Sequence, residues 1–433
     1  MAFFHTFEHG VFVGGDTDPI EMLAGAFHDL IYVQVDRGIP FNLTRFLSPV
    51  VQEWDGTLVL RSPRLSDQRL SWLLDLFELR TGQPLSPYGG QNEFLSALVA
   101  VKALEPFLTL PEQLAIAVCI EATIPFRQSG LGPTLPEQRL VRLNRLCQRH
   151  HIEVKPLEQI AMVRRSVRLG NRDVISFAQP EAAHFLADTW NLLPESNHRF
   201  FIHGLPRIQD YRRAIEKTEQ FFRSLDPSSI YQQFRGEPAP AQYQQWQSQA
   251  DINLCVGRLY LTCKLVAIAL LEAMALPFGA ETSLQLFMGS IPHPDETCKL
   301  RLEEFFPPPC WQGPALSAIQ EEVWLLLSQG RAASNHQADL AYSPLAAFLL
   351  QCHGFEPLTH QRQAAKQWLE GKLPYEQFLE QFDSQFLDLL FEAIRRLWEQ
   401  RQLIFEAYFR PHSETPVQGD FGGLDNSPAK RLP

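Results

Sequence analysis

The stretch LAGAFHDLIYVQVD, residues 23–36, ends an apolar run on an adjacent His28-Asp29 pair. Upstream, FFHTFEHGVF, residues 3–12, carries His5 and His9 four positions apart. Four residues is about one helical turn, so both imidazoles would lie on one helix face. A neighbouring imidazole and carboxylate can hold one cation together, and a histidine from another helix can complete the grip. Divalent metals that activate water favour such a mixed nitrogen and oxygen shell with positions left open. The plainer alternative is a satisfied core histidine, since a His-Asp dipeptide also arises by chance.

Working outward, residues 1–35 read as two helices joined by GGDTDP. Asp18 before Pro19 is a helix start, with Glu21 in the first turn. The second helix is expected to turn Met22, Leu23, Ala26, Phe27 and Leu30 to a core, leaving His28 and Asp29 near its end. Residues 36–90 interrupt this pattern, and Asp55-Gly56 between apolar runs predicts a β-hairpin insert. A helix is expected over Gln68–Arg80, and helices resume at Gln91 with apolar spacing suited to burial. Arg139–His150, 156–169 and 179–193 follow as helices. The Pro- and Gly-containing stretch 224–243 is the expected linker. Beyond it lie helices at about 244–276, 314–330, 343–353, 358–371 and 374–407, with FFPPPCWQGP (305–314) as a non-helical connector. The expected fold is mainly α, with domains over 1–223 and 244–410 and a disordered tail over 411–433. Phe378, Leu379, Phe382, Phe386, Leu389, Leu390, Ile394, Leu397 and Trp398 approximate one apolar face, which predicts docking. Its partner could be the first domain or a second copy of the chain, making a homo-oligomer.

The chain has 433 residues, 45% of them hydrophobic, which is ample for a large core. A mean hydropathy of -0.15 fits an ordinary soluble composition. The net charge of -11 argues against broad nucleic-acid binding, which needs a basic surface. A small anionic substrate stays open, because local arginines and a metal can override the global sign. Seven scattered cysteines without a CxxC pair argue against a disulfide framework or structural zinc and suit a reducing cytoplasm. The apolar stretch Leu259–Phe278 is broken by Lys264 and Glu272, so a buried helix is expected there and no membrane span. GxxxxGK[ST], GxSxG and HExxH are absent, and no usable GxGxxG precedes a helix.

His9 and His28-Asp29 resemble the HD family of metal-dependent phosphohydrolases, whose pattern is a histidine, then an HD doublet, then a distant aspartate. HTFEHG is similar to the HNxxHA segment of cyclic-nucleotide phosphodiesterases and to the YHNxxH start of smaller HD phosphohydrolases. It departs from them at Thr6, where asparagine is usual. The resemblance implies His9 as a first metal ligand and His5 as a proton donor to the leaving oxygen. QNEFLSA resembles the NExxSA segment, through Asn92, Glu93 and Ser96. Glu93 is then a base or water-orienting group, while Asn92 could be a helix cap instead. Tyr32 and Asp36 match an aromatic and an acidic position after the doublet. Asp36 could orient a ligand, or it could be a solvated loop carboxylate.

The family's distant aspartate falls best on Asp173 in GNRDVISFA, with Asp188 as second choice. Glu121 stands where relatives often have a threonine and a histidine, which puts a second metal, or activity itself, in doubt. Arg127 and Arg172 are the expected substrate binders among a group that includes Arg164, Arg165 and Arg168. A solvated basic helix face is their alternative reading. His150-His151 reads as surface. The resemblance covers about 1–195 and implies a phosphohydrolase with a divalent cation (Mn, Fe, Mg or Zn) on His9, His28, Asp29 and Asp173. Its substrate would be a small phosphorylated molecule. The rival expectation is a helical scaffold or interaction protein that kept the fold and lost the chemistry.

Overall fold

Asp18 accepts a hydrogen bond from the Ile20 N–H at 3.0 Å, and Pro19 follows it, so helix α2 (Pro19–His28) starts where the sequence signals. In this computed structural model the described residues are 7–33, 38–61, 67–86, 89–127, 132–190, 207–279, 281–290, 300–331 and 342–409. The expectations for His5, Asp36 and the tail 411–433 lie outside the described residues.

α1 (Phe7–Gly14) packs on α2. The face that α2 buries differs from the expected one. Glu21, Ala24, Gly25 and His28 are buried, whereas Met22 and Leu30 are exposed. Small residues decide this. A Cβ on Gly25 would stand 2.3 Å from the Gly14 nitrogen and 2.6 Å from the Gly10 carbonyl oxygen. The two helices touch backbone to backbone, and larger side chains on that face would force them apart.

After α3 (Thr44–Leu47), β1 (Val51–Trp54) and β2 (Thr57–Leu60) form the expected antiparallel hairpin, in the register Val51↔Leu60 and Trp54↔Thr57. Asp55 and Gly56 both take positive φ, which a tight two-residue hairpin turn demands. The helices α4 (Gln68–Leu76), α5 (Gln91–Leu104), α6 (Leu110–Glu121), α7 (Leu135–Arg149) and α8 (Pro156–Asp173) complete the first core. α4 stops four residues before Arg80, α7 begins four residues before Arg139, and α8 runs on past 169 to Asp173.

The second core contains α9 (Ala182–Trp190), α10 (Ile208–Ser224), α11 (Pro240–Ala275), α12 (Leu284–Met288), α13 (Ala318–Ser328), α14 (Pro344–His353), α15 (Leu358–Leu369), α16 (Tyr375–Leu379) and α17 (Ser384–Phe409). α11 is the axis of this unit and packs on α10, α13, α14 and α15. It is long and apolar enough to cross a membrane, yet 83% of its most apolar window is buried inside the protein. On α16, α17 and the turn between them the expected apolar residues Phe378, Phe382, Phe386, Leu390, Ile394 and Leu397 close on this same core, while Leu389 stays exposed.

The cores divide between Asp173 and Ala182, not at the Pro- and Gly-containing stretch after Ser224. α10 belongs with α11 because Ile208, Ala214, Ile215 and Phe222 are buried against it. The expected linker instead fastens the cores together. Phe234 is buried in the first core and Tyr231 in the second. Gln232 exchanges two hydrogen bonds of 2.8 Å with Asn171.

Candidate metal centre

Three helix ends meet at one point. His9 lies within α1, His28 and Asp29 form the C-terminal end of α2, and Asp173 is the last residue of α8. One ligand-competent atom from each of these four residues lies within 4.8 Å of every other. His28 Nε2 is 2.9 Å from Asp29 Oδ2 and 3.2 Å from Asp173 Oδ1. His9 Nε2 is 3.3 Å from Asp173 Oδ1 and 3.6 Å from Asp29 Oδ2. Among the described residues this is the sole such cluster.

Local packing sets this geometry. The glycine contact between α1 and α2 draws the His9 and His28 ring centroids to 5.3 Å. On α8, Gly170 lies so close to α6 that a Cβ would come within 2.9 Å of the Ala122 carbonyl oxygen. The chain after the doublet is latched from α5. Ser96 Oγ accepts from the Ile31 N–H at 3.1 Å, and Asn92 Oδ1 accepts from the Val33 N–H at 3.2 Å. Asn92 therefore does not cap α5, whose N-cap is Gly90 at φ 85°. Glu93 lies between the two latches.

The donor chemistry suits a divalent cation. His28 Nδ1 lies 2.7 Å from the Gly25 carbonyl oxygen, which accepts only from a protonated nitrogen. That interaction fixes the tautomer and leaves Nε2 to serve the cluster, the arrangement usual behind a metal-binding histidine. His28 is buried and His9 is 30% exposed on its side chain, so the cluster has an inner and an outer side. Burial opposes charge on His28, but Asp29 and Asp173 outweigh it and hold its pKa well above the usual imidazole range. Burial likewise opposes charge on Asp173, and hydrogen bonds with His28 and His9 bring its carboxyl below the ordinary value. Both shifts describe a compact group of nitrogen and oxygen donors sharing protons.

Glu93 is a further acid that feels the charges of this cluster. Its Oε2 is buried without a hydrogen-bond partner. Burial, reinforced by the charges of Asp29 and Asp173, lifts its carboxyl to about 7.

The remaining expected residues fall elsewhere. Asp188 is exposed on α9 and is not in the cluster. Glu121 is fully buried and enclosed by arginines: Arg127 at 2.6 Å, Arg139 at 2.7 Å and Arg142 at 2.5 Å. Burial alone would raise its pKa, but these three charges bring it down to about 2. Arg172 is occupied too. It donates to the Val13 and Gly14 carbonyls and to Glu21, so the structure uses it within the fold and does not leave it for a substrate. Its spacing from Arg168 and Arg165 is that of one α8 face, and that face reaches Asp18 and Glu21 of α2. Sequence reasoning missed this network; the signal was the pair of acids in the first turn of α2 opposite a helix with arginines at 165, 168 and 172.

Comparison with protein-family models, with curated proteins and with solved structures finds no match to this chain.

Proposed function

We propose that this chain is a metal-dependent phosphohydrolase of the HD type, acting on a phosphate ester or nucleotide-like substrate. One observation carries the reading: two imidazoles and two carboxylates from three helices converge within 4.8 Å. Nitrogen and oxygen donors of this kind accept Mn, Fe, Mg or Zn, and ligand type does not choose among them. When bound, such a cation lowers the pKa of water and offsets charge developing on phosphorus. The chain's own residues prepare for it. The Gly25 carbonyl holds the His28 tautomer, and Ser96 and Asn92 fix the backbone that follows Asp29. Glu93, with a pKa near neutrality, is suited to take up and release a proton beside the cluster. Arg127 is paired with Glu121 at 2.6 Å but partly exposed, and this reading assigns it to a substrate phosphate oxygen.

The test begins with elemental analysis of the purified protein, which should show a stoichiometric divalent metal. Replacing His28 and Asp29 together with alanine should remove that metal while helical circular dichroism is retained. A screen of phosphomonoesters, cyclic nucleotides and nucleoside triphosphates should then find hydrolysis that the double variant lacks. A rival reading, a scaffold that kept only the fold, draws on Glu121 being tied to three arginines where relatives often carry a histidine. Full-length protein without bound metal, and without metal uptake on titration, would favour the rival.

A further inference from the structure

Arg172 sits one residue before Asp173 and touches both other helices that supply the cluster. Its Nε donates to the Val13 carbonyl at 2.6 Å and its Nη2 to the Gly14 carbonyl at 3.1 Å. Those oxygens belong to the last turn of α1, where backbone carbonyls have no partner within the helix and carry the negative end of its dipole. Nη2 also reaches Glu21 Oε2, at 2.6 Å, in the first turn of α2. Glu21 is buried and takes Arg168 on its other oxygen, with Nε at 2.9 Å. One planar fork therefore joins α1, α2 and α8 at the turn between α1 and α2, while His9 and His28 stand towards the other ends of those two helices. A lysine has one ammonium and cannot present donors in two directions from a fixed plane.

We propose that Arg172 is the positioning residue of the metal centre: it sets the place of α1, and with it His9, relative to Asp173. The proposal rests on the metal-site reading for its binding arm, but its geometric arm is independent of any metal. Arg165 is the internal control. It ties α2 to α8 through Asp18 at 2.6 Å and makes no bond to α1.

The experiment compares the full-length wild type with Arg172→Ala, Arg172→Lys and Arg165→Ala. Calorimetric titration with Mn2+ alone is run at a temperature where all are folded by circular dichroism. Arg172→Ala should weaken Mn2+ binding by roughly 10–100-fold, the loss typical when a partner behind a metal ligand is removed. Arg172→Lys should fall between it and wild type, and Arg165→Ala should bind as wild type does. Metal-free crystal structures supply the second arm. In Arg172→Ala the His9 Nε2 to Asp173 Oδ1 contact, 3.3 Å in the wild type, should open, while His28 Nε2 to Asp29 Oδ2 persists. An intact His9–Asp173 contact in that variant overturns the proposal, and so does an equal loss of affinity in Arg165→Ala. If the alanine variant does not fold, Arg172→Lys carries the same two readouts, and wild-type contact and affinity in it overturn the proposal. If wild type takes up no Mn2+ yet the contact opens in the variant, the positioning role stands and the metal reading falls.

Discussion

At the scale of single residues, Glu121 shows how a buried charge is kept. It gives up hydration and is repaid by three guanidinium groups, so removing its charge leaves the buried Arg139 without its carboxylate. Glu121→Gln should destabilise the fold by about 3–5 kcal/mol, the range for breaking a buried ion pair, as read from denaturant midpoints. The pH dependence has a definite sign. The folded-state pKa of about 2 lies below the ordinary 4.5, so the stabilisation is complete above 4.5 and is lost as pH falls from there towards 2. The wild type should weaken over that window more steeply than Glu121→Gln; parallel curves would remove Glu121 from the account. The same residue marks a limit of sequence reading. The meeting of His9, His28 and Asp29 was legible because histidines are few and these three lie close in sequence, whereas Asp173 came only from the family resemblance. The role of Glu121 depends on arginines 6, 18 and 21 positions away, and nothing in the linear pattern says that all three turn inward.

Between elements, close approach is what aligns donors. Gly25→Ala would put a methyl group 2.3 Å from backbone nitrogen, so α1 must move. Overpacking of this kind costs about 1–3 kcal/mol in a core that can adjust, and backbone adjusts less than side chains do. The variant should melt lower and bind divalent metal more weakly; unchanged metal binding would show that the helix contact does not set the ligand positions. Ser96→Ala leaves the buried Ile31 N–H unpaired, at about 1–3 kcal/mol, and should loosen Asp29 more than His9. The hairpin at Asp55-Gly56 and the helices were readable from turn chemistry and periodicity. The buried face of α2 was not, because hydrophobic spacing counts large side chains while this interface selects small ones.

For the whole molecule, the position of the boundary between cores has consequences. A chain ending at Ser224 keeps α10 but removes α11, exposing Ile208, Ile215 and Phe222. It should aggregate, whereas a chain ending at Gln179 should be the more soluble of the two; the reverse order in sedimentation would place the boundary where composition suggested it. Leu390→Ala removes a fully buried side chain from the α17 face and should cost about 2–5 kcal/mol in chemical unfolding. Pro and Gly frequency pointed to 224–243 as a joint because those residues do end helices. It could not reveal that Phe234 and Tyr231 anchor the same segment in opposite cores.

The His9–Asp173 contact joins residues 164 positions apart. Contacts of such separation form late, since a long loop must close before they yield any gain. During synthesis α1 leaves the ribosome before α8 and must wait for it before His9 and Asp173 can meet. If the cluster holds a cation as proposed, its uptake in refolding should therefore lag the recovery of helical signal and coincide with the last increase in resistance to protease. A cation captured at that moment would favour the completed fold alone, so its presence would serve as a proofreading mark on the finished chain.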